Sequence, residues 1–157
     1  MDWTTQLIAL SQVLFAGGLG AVIGLERELS AKPAGLRTHV FVCAGAALLM
    51  LLSESVVQEF SARQDQEIAA DPIRVIQAIV VGISFLGTGT IIHQQGRQVE
   101  GLTTAASIFL TAGVGIAVAA RQYILAVGTM LFAVLVLCLL GWVERRLARP
   151  RSEETDQ

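Results

Sequence analysis

The sequence predicts an all-α, polytopic membrane protein with five transmembrane helices. Composition is the first reason, because 54% of the 157 residues are hydrophobic and only 15% are charged. A domain of this size buries only about 70% of the surface that its unfolded chain exposes, so lipid has to cover the apolar excess. The second reason is that the apolar residues form long uncharged runs, which match the roughly 30 Å of bilayer hydrocarbon as helices. Strands of a membrane barrel would instead alternate apolar and polar residues.

The first predicted segment runs from Trp3 to Leu25. A cleaved signal peptide is the alternative, but such a peptide begins with basic residues and has a shorter apolar core. Here Asp2 is the only charged residue before Glu26. Within the segment, Ala16, Gly20 and Gly24 recur every four positions, a spacing that lets two helices approach closely. We therefore predict a membrane helix that packs through this small-residue stripe, with a homodimer seam as the alternative.

The second segment spans Thr38 to Ser53 and continues past Glu54 to Val57. Glu54 is the one carboxylate inside a predicted segment, and carboxylates at membrane depth are candidates for ion binding. Because it lies in the last turn, its side chain can also extend to the outer surface. Extension to the surface is the preferred interpretation, and ion binding stays open.

The third segment, Val75 to Gly96, contains an unusual density of glycine and hydroxyl residues between Gly82 and Thr90. Glycine weakens a helix by about 1 kcal/mol relative to alanine. Such a stretch either packs closely against another helix or forms a break that binds a ligand, as broken helices do in transporters. Close packing is the preferred interpretation.

The fourth and fifth segments run from Gly101 to Ala120 and from Gln122 to Val143. The fourth carries a stripe of small and hydroxylated residues at four-residue spacing, which favours helix packing and leaves a hydroxyl-lined path as the alternative. The stripe consists of Thr103, Ser107, Thr111, Gly115 and Ala119. The fifth is uniformly apolar and ends near Trp142, where aromatic rings favour the headgroup zone.

The distribution of basic residues predicts an outside amino terminus and a cytoplasmic carboxyl terminus, because positively charged flanks stay in the cytoplasm. Eight of the 11 Lys and Arg residues flank one side of the predicted bundle, and three flank the other. The three are Arg63, Arg74 and Arg121. Residues 1–146 are predicted to form the membrane domain, and residues 147–157 a short cytoplasmic tail.

The strongest polar cluster follows from this topology. Three stretches, residues 26–28, 34–39 and 100–104, all fall at the cytoplasmic ends of predicted helices. Arg37 is expected to pair with Glu26 or Glu28 and so to fix the first two helix ends. A network of such pairs is the simplest interpretation; a site for an ion, a lipid headgroup or a partner protein is the alternative. No spacing of carboxylates here demands a metal.

Several function classes are disfavoured. The formal net charge of −2 lacks the basic excess typical of nucleic-acid binding. No acid, base and nucleophile occur together, so we expect neither an enzyme nor a cofactor. The two cysteines, Cys43 and Cys138, are expected to be free thiols.

At these same motifs the chain resembles the MgtC/SapB family of bacterial inner-membrane proteins. The resemblance rests on residues 20–28 (GAVIGLERE), 33–39 (PAGLRTH), 82–92 (GISFLGTGTII) and 99–106 (VEGLTTAA), in this order. It implies a five-helix domain linked to growth in low magnesium and, in some members, to virulence and restraint of the rotary ATP synthase. Long members add a cytoplasmic domain, so this chain is expected to be a short form.

The resemblance also implies which positions carry function: Glu26, Arg37, Thr38, His39, Gly87, Gly101, Thr103 and Thr104. The expected partners are the bilayer and another membrane protein, such as an ATP synthase or transporter subunit, with a homo-oligomer left open. Two hypotheses remain: a non-enzymatic regulator of another membrane protein, and a cation transporter or channel built on the third and fourth helices.

Overall fold

The computed structural model describes residues 3–64, 71–91 and 100–147, which form five helices. In chain order these are α1 (Trp3–Leu29), α2 (Leu36–Gln64), α3 (Pro72–Thr88), α4 (Leu102–Ala119) and α5 (Tyr123–Leu147). Four of them, α1, α2 as far as Val57, α4 and α5 as far as Val143, are long and apolar enough to cross a membrane. The predicted all-α, polytopic membrane architecture is therefore confirmed.

Helix α4 lies at the centre of the bundle and contacts all four other helices. Its small residues permit this, because a Cβ atom on Gly115 would meet the backbone carbonyl oxygen of Cys43 on α2. The main core brings together α1, α2, α4 and α5, with Ile23, Val114 and Val118 among its buried residues. Large apolar side chains on the outside, such as Ile124 of α5 at 92% exposed, are covered by lipid instead.

The small-residue stripe of α1 packs against α2, as the preferred interpretation predicted. A Cβ on Gly20 would meet the His39 carbonyl oxygen, and one on Gly24 would lie 2.7 Å from the Cα of Leu36. The two backbones thus touch where the side chains are absent. Gln12 adds a polar contact on the same helix, since its Nε2 donates to the hydroxyl of Tyr123 at 3.0 Å and joins α1 to the start of α5.

Several helix boundaries differ from the sequence prediction. The largest extension is in α2, which continues seven residues beyond Val57 to Gln64. Hydropathy marks only the part of a helix that lies in lipid, and the polar residues after Val57 favour helix in water as well. Asp71 then caps α3 by accepting a hydrogen bond from the backbone N–H of Ile73 at 3.0 Å.

The third predicted segment, Val75 to Gly96, is wrong at both ends, because α3 spans Pro72–Thr88. Its 17 residues reach about 26 Å, somewhat less than the hydrocarbon thickness. Helix α3 is continuous through Gly82, and the chain leaves it at Gly89, where Thr90 donates its backbone N–H to Gly87 O at 3.0 Å. The end of that predicted segment and Arg97 fall in residues 92–99, and the predicted tail from residue 148 onward likewise lies outside the described residues.

The helices alternate in direction, so that α1 and α3 end where α2 and α4 begin. We call this end of the bundle, formed by residues 24–39, 87–91 and 100–107, the motif end. The distribution of basic residues predicts that it faces the cytoplasm.

Thiol labelling tests this orientation. In a chain carrying Cys43→Ala and Cys138→Ala, a cysteine at Lys32 should stay unlabelled by an impermeant maleimide added to intact cells. A cysteine at exposed Asp71 should react. Permeabilised cells, in which both positions should be labelled, provide the control. Labelling of Lys32 and not of Asp71 in intact cells would invert the topology.

Candidate functional site

Four helix ends meet at the motif end through direct contacts. Arg27 of α1 reaches Thr104 of α4, and Glu28 of α1 reaches Leu36 at the start of α2. Gly87 of α3 lies against α4, since a Cβ there would be 3.6 Å from the Cβ of Ala105. The three stretches that the sequence placed together are therefore adjacent, and α3 joins them.

Arg27 is the buried charge of this site. Its side chain is only 4% exposed, and its Nη2 donates to the Thr104 hydroxyl at 3.0 Å. Burying a guanidinium is costly unless hydrogen-bond acceptors replace the lost water. Thr104, itself 2% exposed, provides one such acceptor across the α1–α4 interface.

Glu28 caps the second helix. Its Oε2 accepts a hydrogen bond from the backbone N–H of Leu36 at 3.0 Å, which satisfies one of the unpaired donors at the α2 amino terminus. Negative charge at this position also complements the helix dipole. A Cβ at residue 35 would meet the Glu28 carboxylate, so this exposed side chain would have to move and the cap would change.

Glu26 is half satisfied within the described residues. Its Oε1 accepts a hydrogen bond from the Ser30 hydroxyl at 2.9 Å. Its Oε2 is buried and has no hydrogen-bond partner in the part of the chain that the structure describes. Desolvated carboxylate oxygens without donors are rare. The buried Oε2 of Glu26 therefore has unused capacity to accept a hydrogen bond.

His39 is fully buried between α1, α2 and α4. Its Nδ1 donates to the Gly35 carbonyl at 3.0 Å, and its Nε2 lies 3.2 Å from the Ser107 hydroxyl. That hydroxyl lies 2.8 Å from the Thr104 carbonyl and has one proton to give, either to this carbonyl or to Nε2. The polar chain thus runs from the α2 amino terminus through α4 to the residue that holds Arg27.

Gly101 lies just before α4, beside the residues that follow α3. It precedes α4 with a φ of 91°, a left-handed conformation that glycine adopts without strain. A Cβ at this position would also collide with the carbonyl oxygen of Thr90, just after α3. Both the conformation and the close approach explain why glycine stands here.

The predicted ion pair of Arg37 is not supported by this geometry. Arg37 is exposed, and within the described residues it forms no ion pair with Glu26 or Glu28. The link between the first two helix ends is made instead by the Glu28 carboxylate, which accepts a hydrogen bond from the backbone N–H of Leu36. The Arg37 side chain is exposed and takes no part in this link. Thr103 is likewise exposed, and Thr38 is half-buried.

Sequence reasoning included Arg27 in the stretch 26–28 and Ser107 in the α4 stripe, but it did not single out either as a functional position. The helical period was not a sufficient signal. The four-residue spacing of the α1 stripe continues to Glu28, which is exposed, and Thr103 of the α4 stripe is exposed as well. Packing against α4 is what makes Arg27 the buried charge.

The described residues contain no group of three or more His, Cys, Asp or Glu side chains that could hold a metal ion. Glu26 and Glu28 are the carboxylates of the motif end with observed contacts, and each already accepts a hydrogen bond from the protein. The arrangement holds the helix ends together. It leaves the Arg37 side chain exposed and the Glu26 side chain partly exposed.

Comparison with known proteins places these features in a family. The sequence model described as the MgtC family matches residues 13–146. SapB of Bacillus subtilis is 33% identical over 156 residues, which cover 99% of this chain and 66% of the relative. MgtC of Salmonella paratyphi A is 34% identical over 140 residues, covering 88% of this chain and 55% of the relative.

A protein of Escherichia coli named "Putative magnesium transporter YhiD" is 36% identical over 125 residues, covering 80% of this chain and 56% of the relative. The chain therefore spans less than two thirds of the length of these curated relatives. No solved structure matches the chain.

Proposed function

This multi-pass protein of the bacterial inner membrane belongs to the MgtC family, and we propose that it supports magnesium homeostasis or growth in low magnesium by regulating another membrane protein. In this proposal it catalyses no reaction and moves no ion itself. The name of its relative YhiD of Escherichia coli connects the proposal to magnesium.

The proposal rests on the hydrogen bonds and the burial of the α4 hydroxyl groups. A transport path through the protein would need these hydroxyl groups to line it. Thr111 donates to the Ser107 carbonyl at 2.7 Å, and Ser107 contacts the Thr104 carbonyl and His39. Both side chains are buried against neighbouring helices. These oxygens are buried in packed interfaces and line neither of the two grooves described below, so they do not border a path for a hydrated cation.

The cavities of the described bundle support the same conclusion. A groove of about 500 Å³ lies between α2 and α3, and a smaller one of about 240 Å³ lies between α3 and α4. Apolar residues and glycine line both. Magnesium holds its water tightly and needs oxygen ligands in near-octahedral geometry, which apolar walls do not provide.

A cation transporter is the second candidate, favoured by the name of the YhiD relative. In this chain its acidic ligand would be Glu54, which is exposed on α2 and lies three residues before the end of the apolar span. A carboxylate at that depth reaches the headgroup region, which favours a solvated role over transport.

Liposome flux and growth together distinguish the two functions. We expect purified protein in liposomes loaded with a magnesium-sensitive dye to give no uptake above protein-free liposomes, while a strain lacking the gene grows poorly in low magnesium. Glu54→Gln should restore that growth as fully as the wild-type gene. A known magnesium channel in parallel liposomes verifies the assay. Magnesium uptake that Glu54→Gln abolishes would overturn the regulator proposal and establish the transporter.

Crosslinking in native membranes then tests regulation directly. A photoreactive residue at exposed Leu29, beside Glu26 at the end of α1, should capture a membrane protein in cells grown in low magnesium. The same residue at Ile124, on the lipid-facing side of α5 and far from the motif end, serves as the matched control. Identical capture from both positions, or none from Leu29, would contradict a partner at the motif end.

A further inference from the structure

An apolar groove of the described bundle lies between α2 and α3. It measures about 500 Å³ and is lined by five residues of α2 and six of α3, all apolar or glycine. Two glycines create it: a Cβ on Gly45 or on Gly82 would have no heavy atom within 4 Å. The helices therefore stand apart here, unlike at the α1–α2 and α2–α4 crossings.

The α2 wall of the groove falls inside the apolar span Leu36–Val57, and the groove is about one leaflet long. Its α2 wall extends from Phe41 to Leu49 and its α3 wall from Val75 to Leu86. At 1.5 Å per residue these walls are about 12 and 17 Å long. One leaflet contributes about 15 Å of hydrocarbon. An empty groove would deprive its walls of contacts, so an acyl chain of a neighbouring lipid fits both its polarity and its length.

Arg37 lies on α2 one helical turn before Phe41, a residue that lines the groove. Residues four apart share a face of a helix, so Arg37 precedes Phe41 and Gly45 on the wall of α2. Helical side chains slant toward the amino terminus, which carries the Arg37 guanidinium beyond the start of the apolar span at Leu36. The side chain is exposed, and no ion pair involves it within the described residues.

We propose that the groove and Arg37 together form a binding site for one anionic phospholipid, with an acyl chain between α2 and α3 and the phosphate on Arg37. Basic residues between transmembrane helices are suited to anionic headgroups. Lipid tails are as apolar as the groove, so burial alone gives little preference for one lipid. Arg37 therefore determines which lipid headgroup is preferred, and the groove retains the acyl chain of the lipid. The site does not depend on the proposed regulatory function.

Native mass spectrometry tests the site by measuring which lipids stay bound to the protein. The full chain is incubated with defined lipids and then released from detergent. Wild-type protein should retain one phosphatidylglycerol and bind it about fivefold more tightly than phosphatidylcholine, since one surface arginine contributes about 1 kcal/mol. Arg37→Gln should bind both lipids equally. Gly82→Leu, whose side chain enters the groove, should lose retention of both lipids at least tenfold.

Gly128→Leu is the matched control, because Gly128 is an exposed glycine of α5 with no heavy atom within 4 Å of its added Cβ. It should retain lipid as the wild type does. Gly45→Leu repeats the groove test from the α2 wall if Gly82→Leu does not fold.

Three results would overturn the proposal. One is wild-type retention in both groove variants. Another is displacement of the lipid by millimolar inorganic phosphate, which would indicate an anion site without a chain. The third is a wild-type dimer that Gly82→Leu dissociates, which would assign the groove to a second copy.

Discussion

Gly20→Ala should prevent α1 and α2 from reaching their native separation, and we expect it to be among the most damaging single substitutions in the chain. The added Cβ would meet the carbonyl oxygen of His39 and lie 2.7 Å from the Cβ of Cys43. A backbone carbonyl within a helix cannot rotate aside, so the helices must move apart. Overpacking of this kind costs about 1–3 kcal/mol or more.

The damage extends to the motif end because His39 belongs to both features. If α2 moves to relieve the collision with α1, the His39 ring moves with it, and its 3.2 Å contact with Ser107 of α4 changes. Gly20→Ala should therefore lower the unfolding temperature in detergent and fail to restore growth in low magnesium.

Gly18→Ala provides the matched control on the same helix. Gly18 is exposed, and nothing lies within 4 Å of an added Cβ. Alanine favours helix over glycine by about 1 kcal/mol, so this variant should be as stable as the wild type or more so. The pair Gly115→Ala and Gly113→Ala repeats the comparison on α4, where only Gly115 faces a backbone carbonyl. Equal unfolding temperatures within each pair would contradict the packing described here.

The second large effect is expected from Thr104→Val. Valine has nearly the shape of threonine but removes the oxygen that accepts a hydrogen bond from Arg27 at 3.0 Å. A buried charge that loses one acceptor costs about 1.5–3 kcal/mol. The free energy of unfolding should fall by about that amount, and growth in low magnesium should be lost with it.

Thr103→Val distinguishes this contact from general effects on α4. Thr103 is exposed, and substitutions at such positions usually change stability by less than about 0.5 kcal/mol. Thr104→Ser keeps the hydroxyl and should restore most of the lost stability and growth. Chemical denaturation of the three variants measures the difference. A Thr104→Val protein as stable as Thr103→Val would show that Arg27 does not depend on this hydroxyl.

Membrane character, helix number and the grouping of helix ends could be predicted from the sequence alone. Long uncharged runs are incompatible with water, and short connections force successive helices to alternate in direction. Glu26, Arg27 and the start of α2 therefore had to lie at one end of the bundle. The stripe through Gly20 and Gly24 indicated close packing for a similar reason, because its period of four places all members on one face.

Helix ends that lie outside lipid were harder to predict from the sequence. Hydropathy does not indicate the part of α2 beyond Val57, because a helix in water requires helix-forming residues but no apolar run. The end of α3 at Thr88 depends on the contacts that Gly87 and Gly101 make with their neighbours. Such contacts join residues far apart in the chain and leave no local pattern.

Only the tertiary structure decided which of two similar polar residues is buried in the bundle. Arg27 is buried and Arg37 exposed, and Thr104 is buried while Thr103 faces outward. Adjacent residues on a helix point about 100° apart, so a motif such as Leu102-Thr103-Thr104 presents a hydroxyl on two sides. Which of these sides meets α1 depends on the rotation of α4 within the bundle, and packing against four other helices sets that rotation.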